Sequence, residues 1–294
     1  MKIGLKYLKY LEWVLMMVLL LGIVVISKEM GFLDTLKPES RTGKGIMFIG
    51  IVFMSFLVLA VHELGHLITG LLNGFRFELF VVGPLGIKRE EDRIKIYLNK
   101  NIGYYGGVAA TSPIEDGADN AKKFARLILA GPVASVFFAI FCFVISFAIG
   151  KPLGIIFYTG GLISIAIFFA TTIPSKSGMF FTDRKRYQRL VRPGKDQQVE
   201  LAILRIMGKY SKDNSYKNVD RKDIAVLVED ELPFIQYYGL FNLICYQMEN
   251  EGLIDDETNK DYEKLSKKMS KSVVLSFNSE IENVKGRWET GSIK

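Results

Sequence analysis

The chain has 294 residues, room for one or two domains, and its 38 Lys and Arg against 31 Asp and Glu give a formal net charge of +7. Hydrophobic residues make up 49 %, with 21 Phe and 10 Met, and the mean hydropathy of +0.22 is high for a water-soluble chain. The two cysteines, Cys142 in an apolar run and Cys245 in a polar region, argue against a disulfide scaffold, and without CxxC neighbours they do not support a thiolate zinc site. The basic excess gathers near the ends of apolar runs and forms no stripe with interleaved aromatics, so no nucleic acid partner is expected.

Four apolar stretches, 11–27, 45–72, 127–149 and 153–173, approach the roughly 20 residues needed to cross hydrocarbon. The first follows Lys2, Lys6 and Lys9, as a secretory signal would, but Lys28-Glu29-Met30 comes after it in place of a small-x-small cleavage site. An uncleaved first span with Glu12 at the interface is therefore expected, then a short loop of mixed charge over 28–44. The second stretch carries no charge from 45 to 61 and then reads His62-Glu63-Leu64-Gly65-His66. Gly65 and Gly70 remove bulk where a neighbouring helix can approach closely.

From Phe75 the period becomes two. Residues 75–80 and 93–99 alternate apolar and polar, with turn residues over 82–86 and charges over 88–92 between them, which predicts short antiparallel strands in a hairpin insertion. Residues 103–107 are read as a flexible aromatic return, and 112–120 as a polar loop leading into a helix from about Ala121. Gly131-Pro132 predicts a kink or interruption in the third span, tolerable in a bilayer only where neighbours satisfy the freed carbonyl. The fourth span ends at Pro174, and a flexible segment over 174–178 precedes Met179 to Asp183 and the basic Arg184-Lys185-Arg186. After Pro193-Gly194 helical spacing recurs at 199–207, at 220–230 with Asp220 as an N-cap, at 234–248 and at 258–271.

Loop charge gives an orientation. Lys2, Lys6 and Lys9 precede span one; Lys88, Arg89, Arg93, Lys95, Lys100, Lys122, Lys123 and Arg126 separate spans two and three; Arg184, Lys185, Arg186, Arg189 and Arg192 follow span four. The other loops hold Lys28, Lys37, Arg41, Lys44 and Lys151. Four spans with both termini cytoplasmic put the richer loops inside, in a multi-pass protein of the cell membrane.

The chain's only two histidines, His62 and His66, lie four apart, so on a helix both imidazoles can reach one ion. Two neutral imidazoles suit Zn²⁺, which in catalytic sites takes three protein ligands and keeps a position open for water. Glu63 projects about 100° around the helix from His62, where it can take a proton from that water and return it to a leaving amine. Buried ionisable groups in a membrane segment are costly and mark function. A structural alternative is a pair of helix-face histidines bonded to backbone or water. With no third histidine, the candidates for the remaining ligand are Glu78, Glu115, Asp116, Asp119 and Asp183; Asp183 is favoured because it follows a span and a segment able to fold back.

His62-Glu63-Leu64-Gly65-His66 in an apolar span, Ala130-Gly131-Pro132 in the next, and Asp183 beyond the one after resemble the site-2 protease (peptidase M50) family of intramembrane zinc metalloproteases. The resemblance covers about residues 45–190 and implies His62, His66 and Asp183 as zinc ligands and Glu63 as general base. The sheet-like segment after the second span and Gly106-Gly107 also look like family members. Where the family commonly has Asn-Pro and then Asp-Gly, this chain has Ile173-Pro174 and Asp183-Arg184.

The expected fold is an α-helical polytopic membrane protein of about four transmembrane helices, with a short β-hairpin insertion and a C-terminal soluble helical domain. Three parts are expected: an N-terminal span and loop over 1–44, a membrane catalytic core over 45–192 and a cytoplasmic helical domain over 193–294. The expected function is an intramembrane zinc metalloendopeptidase acting on a membrane protein or peptide within or beside the lipid bilayer. The alternative is a membrane scaffold or peptide-binding protein that keeps the zinc site without turnover; a zinc transporter lacks the polar relay it would need in the other spans.

Overall fold

The structure is a computed structural model and describes residues 2–90, 93–177 and 180–290. Glu91 and Asp92 of the charged turn, Gly178 and Met179 ahead of Asp183, and the side chains of Lys2, Lys6 and Lys9 lie outside the described residues. The chain opens with α1 (Lys2–Glu29), the short α2 (Phe32–Leu36) and α3 (Arg41–Leu72). A sheet of β1 (Phe75–Val82), β2 (Leu85–Glu90), β3 (Arg93–Leu98) and β4 (Val108–Pro113) follows, then α4 (Asn120–Ala148) and α5 (Leu153–Thr172). Two-residue strands β5 (Lys176–Ser177) and β6 (Phe180–Phe181) lead to α6 (Asp183–Val191), and the remainder is α7 (Lys195–Asp213), α8 (Arg221–Val228), α9 (Pro233–Glu251), α10 (Asp256–Ser266) and α11 (Lys271–Glu289).

Helices α1, α3, α4 and α5 are long and apolar enough to cross a membrane, and they coincide with the four apolar stretches of the sequence. Lipid offers the backbone no hydrogen-bond partner, so an apolar run of this length closes its amides and carbonyls on itself as a helix. The sides left bare are apolar: Leu15 and Val18 on α1, Phe53 on α3, Phe137 and Phe147 on α4. Of the kink or interruption expected at Gly131-Pro132, the interruption is absent: α4 is one helix with Pro132 inside it. Proline removes one amide and frees the carbonyl four residues back.

The chain divides into two compact units. In the first, made of Met1–Leu72, Phe77–Thr111 and Arg126–Gln188, the helices α3, α4 and α5 share a core of Met54, Val58, Cys142 and Ile156. The insertion is a four-stranded sheet in the order β3-β2-β1-β4, larger than the expected hairpin. β1, β2 and β3 pair antiparallel, with Val82 opposite Leu85 and Ile87 opposite Ile96. Phe80 and Val82 pack with Leu67 of α3, flanked by Phe56, Leu59 and Ala109, so one face of the sheet is pressed on the helix that carries the two histidines.

The second unit, Asn73–Arg76, Ser112–Ala125 and Arg189–Lys294, is helical. The Asp220 side chain caps α8 by accepting from the Lys222 amide, as its position predicts. The buried Ile235, Tyr237, Leu240, Phe241, Ile244 and Cys245 all belong to α9, and the Tyr237 ring stacks on Tyr262 at 4.6 Å and Phe277 at 5.4 Å. The helical stretch expected over 258–271 ends at Ser266, and a further helix, α11, starts at Lys271.

Candidate metal centre

The site is built on α3, ten residues before its end at Leu72, which is about 15 Å of helix. His62, Glu63 and His66 are all buried. The four-residue spacing puts the two Nε2 atoms 3.3 Å apart. Asp183 at the start of α6 completes the cluster, with Oδ2 3.3 Å from His62 Nε2 and Oδ1 3.5 Å from His66 Nε2. A short hairpin delivers it: Lys176 pairs with Phe181, the Thr182 amide donates to the Ser175 carbonyl at 3.1 Å, and the Thr182 hydroxyl donates to the Ile173 carbonyl at 3.1 Å.

A hydrogen bond sets the His66 tautomer. His66 Nδ1 lies 2.8 Å from the Leu127 carbonyl oxygen, which can only accept, so Nδ1 carries the proton and Nε2 presents a lone pair. His62 Nδ1 lies 2.9 Å from the Ser135 hydroxyl, which can accept in the same way. Ser135 is itself placed by α5, since the Ser164 hydroxyl donates to its carbonyl at 2.8 Å. Asp183 Oδ2 is buried without a hydrogen bond.

With Ser135 accepting from His62 Nδ1, three electron-pair donors converge with no proton between them, a costly arrangement for a protein left to itself. A cation resolves it. In a tetrahedral zinc shell with donors about 2.0–2.2 Å from the ion, neighbouring donors stand about 3.3–3.6 Å apart, which is the spacing found here. Among the described residues, His62, His66 and Asp183 form a metal-ligating group, all ligand atoms lying within 4.8 Å of one another. Glu115, Asp116 and Asp119 are exposed between β4 and α4, and Glu78 lies on β1; none belongs to the group.

Helix α4 approaches through small residues. A side chain on Gly65 would meet the Ala130 carbonyl oxygen at 2.6 Å and the Ala134 methyl at 2.8 Å, the close approach that glycine at that position predicts. A Cβ on Gly131 would overlap the His66 ring, so Gly131 makes room for the imidazole. Glu63 is held from the sheet, its carboxylate accepting from the Ala109 amide of β4. Just before that strand Gly107 has φ +96°, and a Cβ there would meet Glu63 Oε1 at 2.8 Å.

Residues 49–287 match Peptidase family M50. The chain belongs to that family. The match covers most of the sequence and includes His62, Glu63, His66 and Asp183. M50 proteins are membrane zinc metalloproteases, and the four apolar helices of this M50 chain agree with a place in the membrane. No curated protein and no solved structure matches it. The sequence did not single out Ser135, the Leu127 carbonyl or the Ala109 amide as parts of the site. Two of these are backbone groups, which any residue could supply; Ser135 follows Ala130-Gly131-Pro132 by one helical turn, the one signal that pointed near it.

Proposed function

We propose that the chain is an intramembrane zinc metalloendopeptidase that hydrolyses peptide bonds of substrates held in or beside the bilayer. The observation that carries this reading is the convergence of His62 Nε2, His66 Nε2 and an Asp183 carboxylate oxygen, with His66 oriented by the Leu127 carbonyl, His62 bonded to Ser135 and Glu63 beside them. His62, His66 and Asp183 are the residues that would hold zinc, which when bound supplies Lewis-acid activation of a water and of the scissile carbonyl.

Glu63 is the general base. It follows His62 by one residue, so its carboxylate leaves the helix on a different side from the ligand nitrogens. A carboxylate oxygen takes the proton of the attacking water as the new C–O bond forms, and Glu63 returns that proton to the amine nitrogen as the C–N bond breaks. A substrate helix hides its carbonyls in hydrogen bonds and has to unwind first. β4 ends the sheet order next to Glu63, and an extended substrate strand can be held along such an edge by main-chain hydrogen bonds.

Glu63→Gln keeps the shape and removes the base. Purified in detergent, that variant should retain one zinc per chain and cleave a model transmembrane peptide about 10²–10⁴-fold more slowly than the wild type. Wild-type cleavage by Glu63→Gln would leave the chain a metal-binding scaffold and end the protease reading.

A further inference from the structure

We propose that Glu12 of α1 is a positioning residue for Asp183, acting through Arg184. This assignment rests on the metal reading of His62, His66 and Asp183 given above. Asp183 and Arg184 are consecutive at the start of α6 and are held by different partners. Asp183 faces the two imidazoles at 3.3 and 3.5 Å, while Arg184 Nη1 donates to Glu12 Oε1 at 2.7 Å. With neighbouring residues tied on two sides, a movement of Arg184 is a movement of the carboxylate beside it.

Helix α1 meets α2 and α5 along one side. Its membrane window has no fully buried residue, and many of its apolar side chains, among them Leu11, Val14, Leu15 and Val18, are exposed. At its far end the Tyr158 hydroxyl is bonded to the Ser27 hydroxyl at 2.9 Å and lies 3.3 Å from the Ile23 carbonyl. Glu12 is the acid of an otherwise apolar window, where a lone carboxylate is costly and a guanidinium partner removes that cost. The pair is partly exposed, with side chains 22 % and 43 % accessible, and on a membrane-spanning helix that exposure faces lipid or headgroups, where salt screens a pair less than in bulk water. Glu12 also lies before residue 49, where the family match begins, and Arg184 lies within it. A segment outside the matched region thus reaches the residue next to the third ligand, and α1 serves the metal centre as well as anchoring the chain.

The test measures metal rather than turnover. Full-length protein in detergent is titrated with zinc against a competing chelator, and the visible spectrum of the Co²⁺ form is recorded. Removing a partner that orients a metal ligand typically costs about 10–100-fold in affinity, and the lower end, about tenfold with shifted cobalt bands, is expected for Glu12→Gln. Glu12→Asp keeps the carboxylate and should recover most of the affinity. Lys151→Ala, which removes the exposed pair with Glu39, should change neither readout. If Glu12→Gln is not recovered folded, Arg184→Gln removes the same pair from the other side and is expected to show the same loss and the same band shift. A wild type that binds zinc beside a folded Glu12→Gln or Arg184→Gln with wild-type affinity and spectrum overturns the assignment and leaves the metal site standing. A wild type that binds no zinc overturns the metal reading and this assignment with it.

Discussion

The two units of this chain treat buried acids differently. In the helical unit each has a partner of its own. Glu200 and Arg189 are both 4 % accessible and bond at 2.8 Å; Asp223 is gripped by Arg205; Glu249 accepts from the amides of Tyr216 at 2.6 Å and Lys217 at 3.1 Å and from the Ser215 hydroxyl at 2.6 Å. In the membrane unit Asp183 faces two imidazoles, and the nearer nitrogen of His66 presents a lone pair because its Nδ1 donates to the Leu127 carbonyl. The neighbouring Arg184 is turned to Glu12 instead. The helical unit supplies cations and amides to its buried acids, whereas the half-buried Asp183 stands beside two imidazoles with its Oδ2 covered and unbonded, an arrangement that a cation would complete.

The largest effect expected from this contrast is at Asp183. Asp183→Ala should lose zinc and peptidase activity together, since two imidazoles alone hold the ion poorly, whereas the exposed Asp116→Ala and Asp119→Ala should keep both. Metal analysis of the three purified variants reads this out, and full zinc in Asp183→Ala would move the third ligand elsewhere. Next comes Glu200→Gln in the helical unit. Removing one partner of a buried pair costs about 3–5 kcal/mol where the other charge is left alone; Arg189 keeps Asp196 at 2.6 Å, so this variant should lose less than that and unfold at a lower temperature, while its folded fraction still binds zinc as the wild type does. Loss of zinc affinity in that folded fraction would break the division between a structural acid and a metal-ligating one. The smallest effect is expected of Ser135→Ala, which leaves the ligands in place but frees the His62 ring. Zinc affinity should fall about 10–100-fold, with Ser135→Thr closer to the wild type.

The parts legible in the sequence were those that a strong physical demand writes plainly. Lipid requires long uncharged helices, so the four spans stood out, and the helical period alone brought His62, Glu63 and His66 to one turn. Asp183 could be reached by position and by running out of histidines, not by pattern. β2 was hidden because Leu85-Gly86-Ile87-Lys88-Arg89-Glu90 mixes a glycine with three consecutive charges, and β4 because Val108-Ala109-Ala110-Thr111-Ser112-Pro113 has small residues, no alternation and a terminal proline. The groups that finish the site, the Leu127 carbonyl and the Ala109 amide, belong to the backbone and leave no mark in a string of side chains. Glu12 read as an interfacial acid; its partner 172 positions away is a tertiary fact.

The histidine pair has a practical consequence. Every imidazole in the chain sits at this one centre, so isotope-labelled histidine would give nuclear resonance signals from the candidate site and no background. One ring leans on a carbonyl and the other on a hydroxyl, so the two signals should be told apart without assignment by mutation. Such a spectrum, followed while metal, peptide or inhibitor is added, would turn a protein embedded in detergent or lipid into its own reporter.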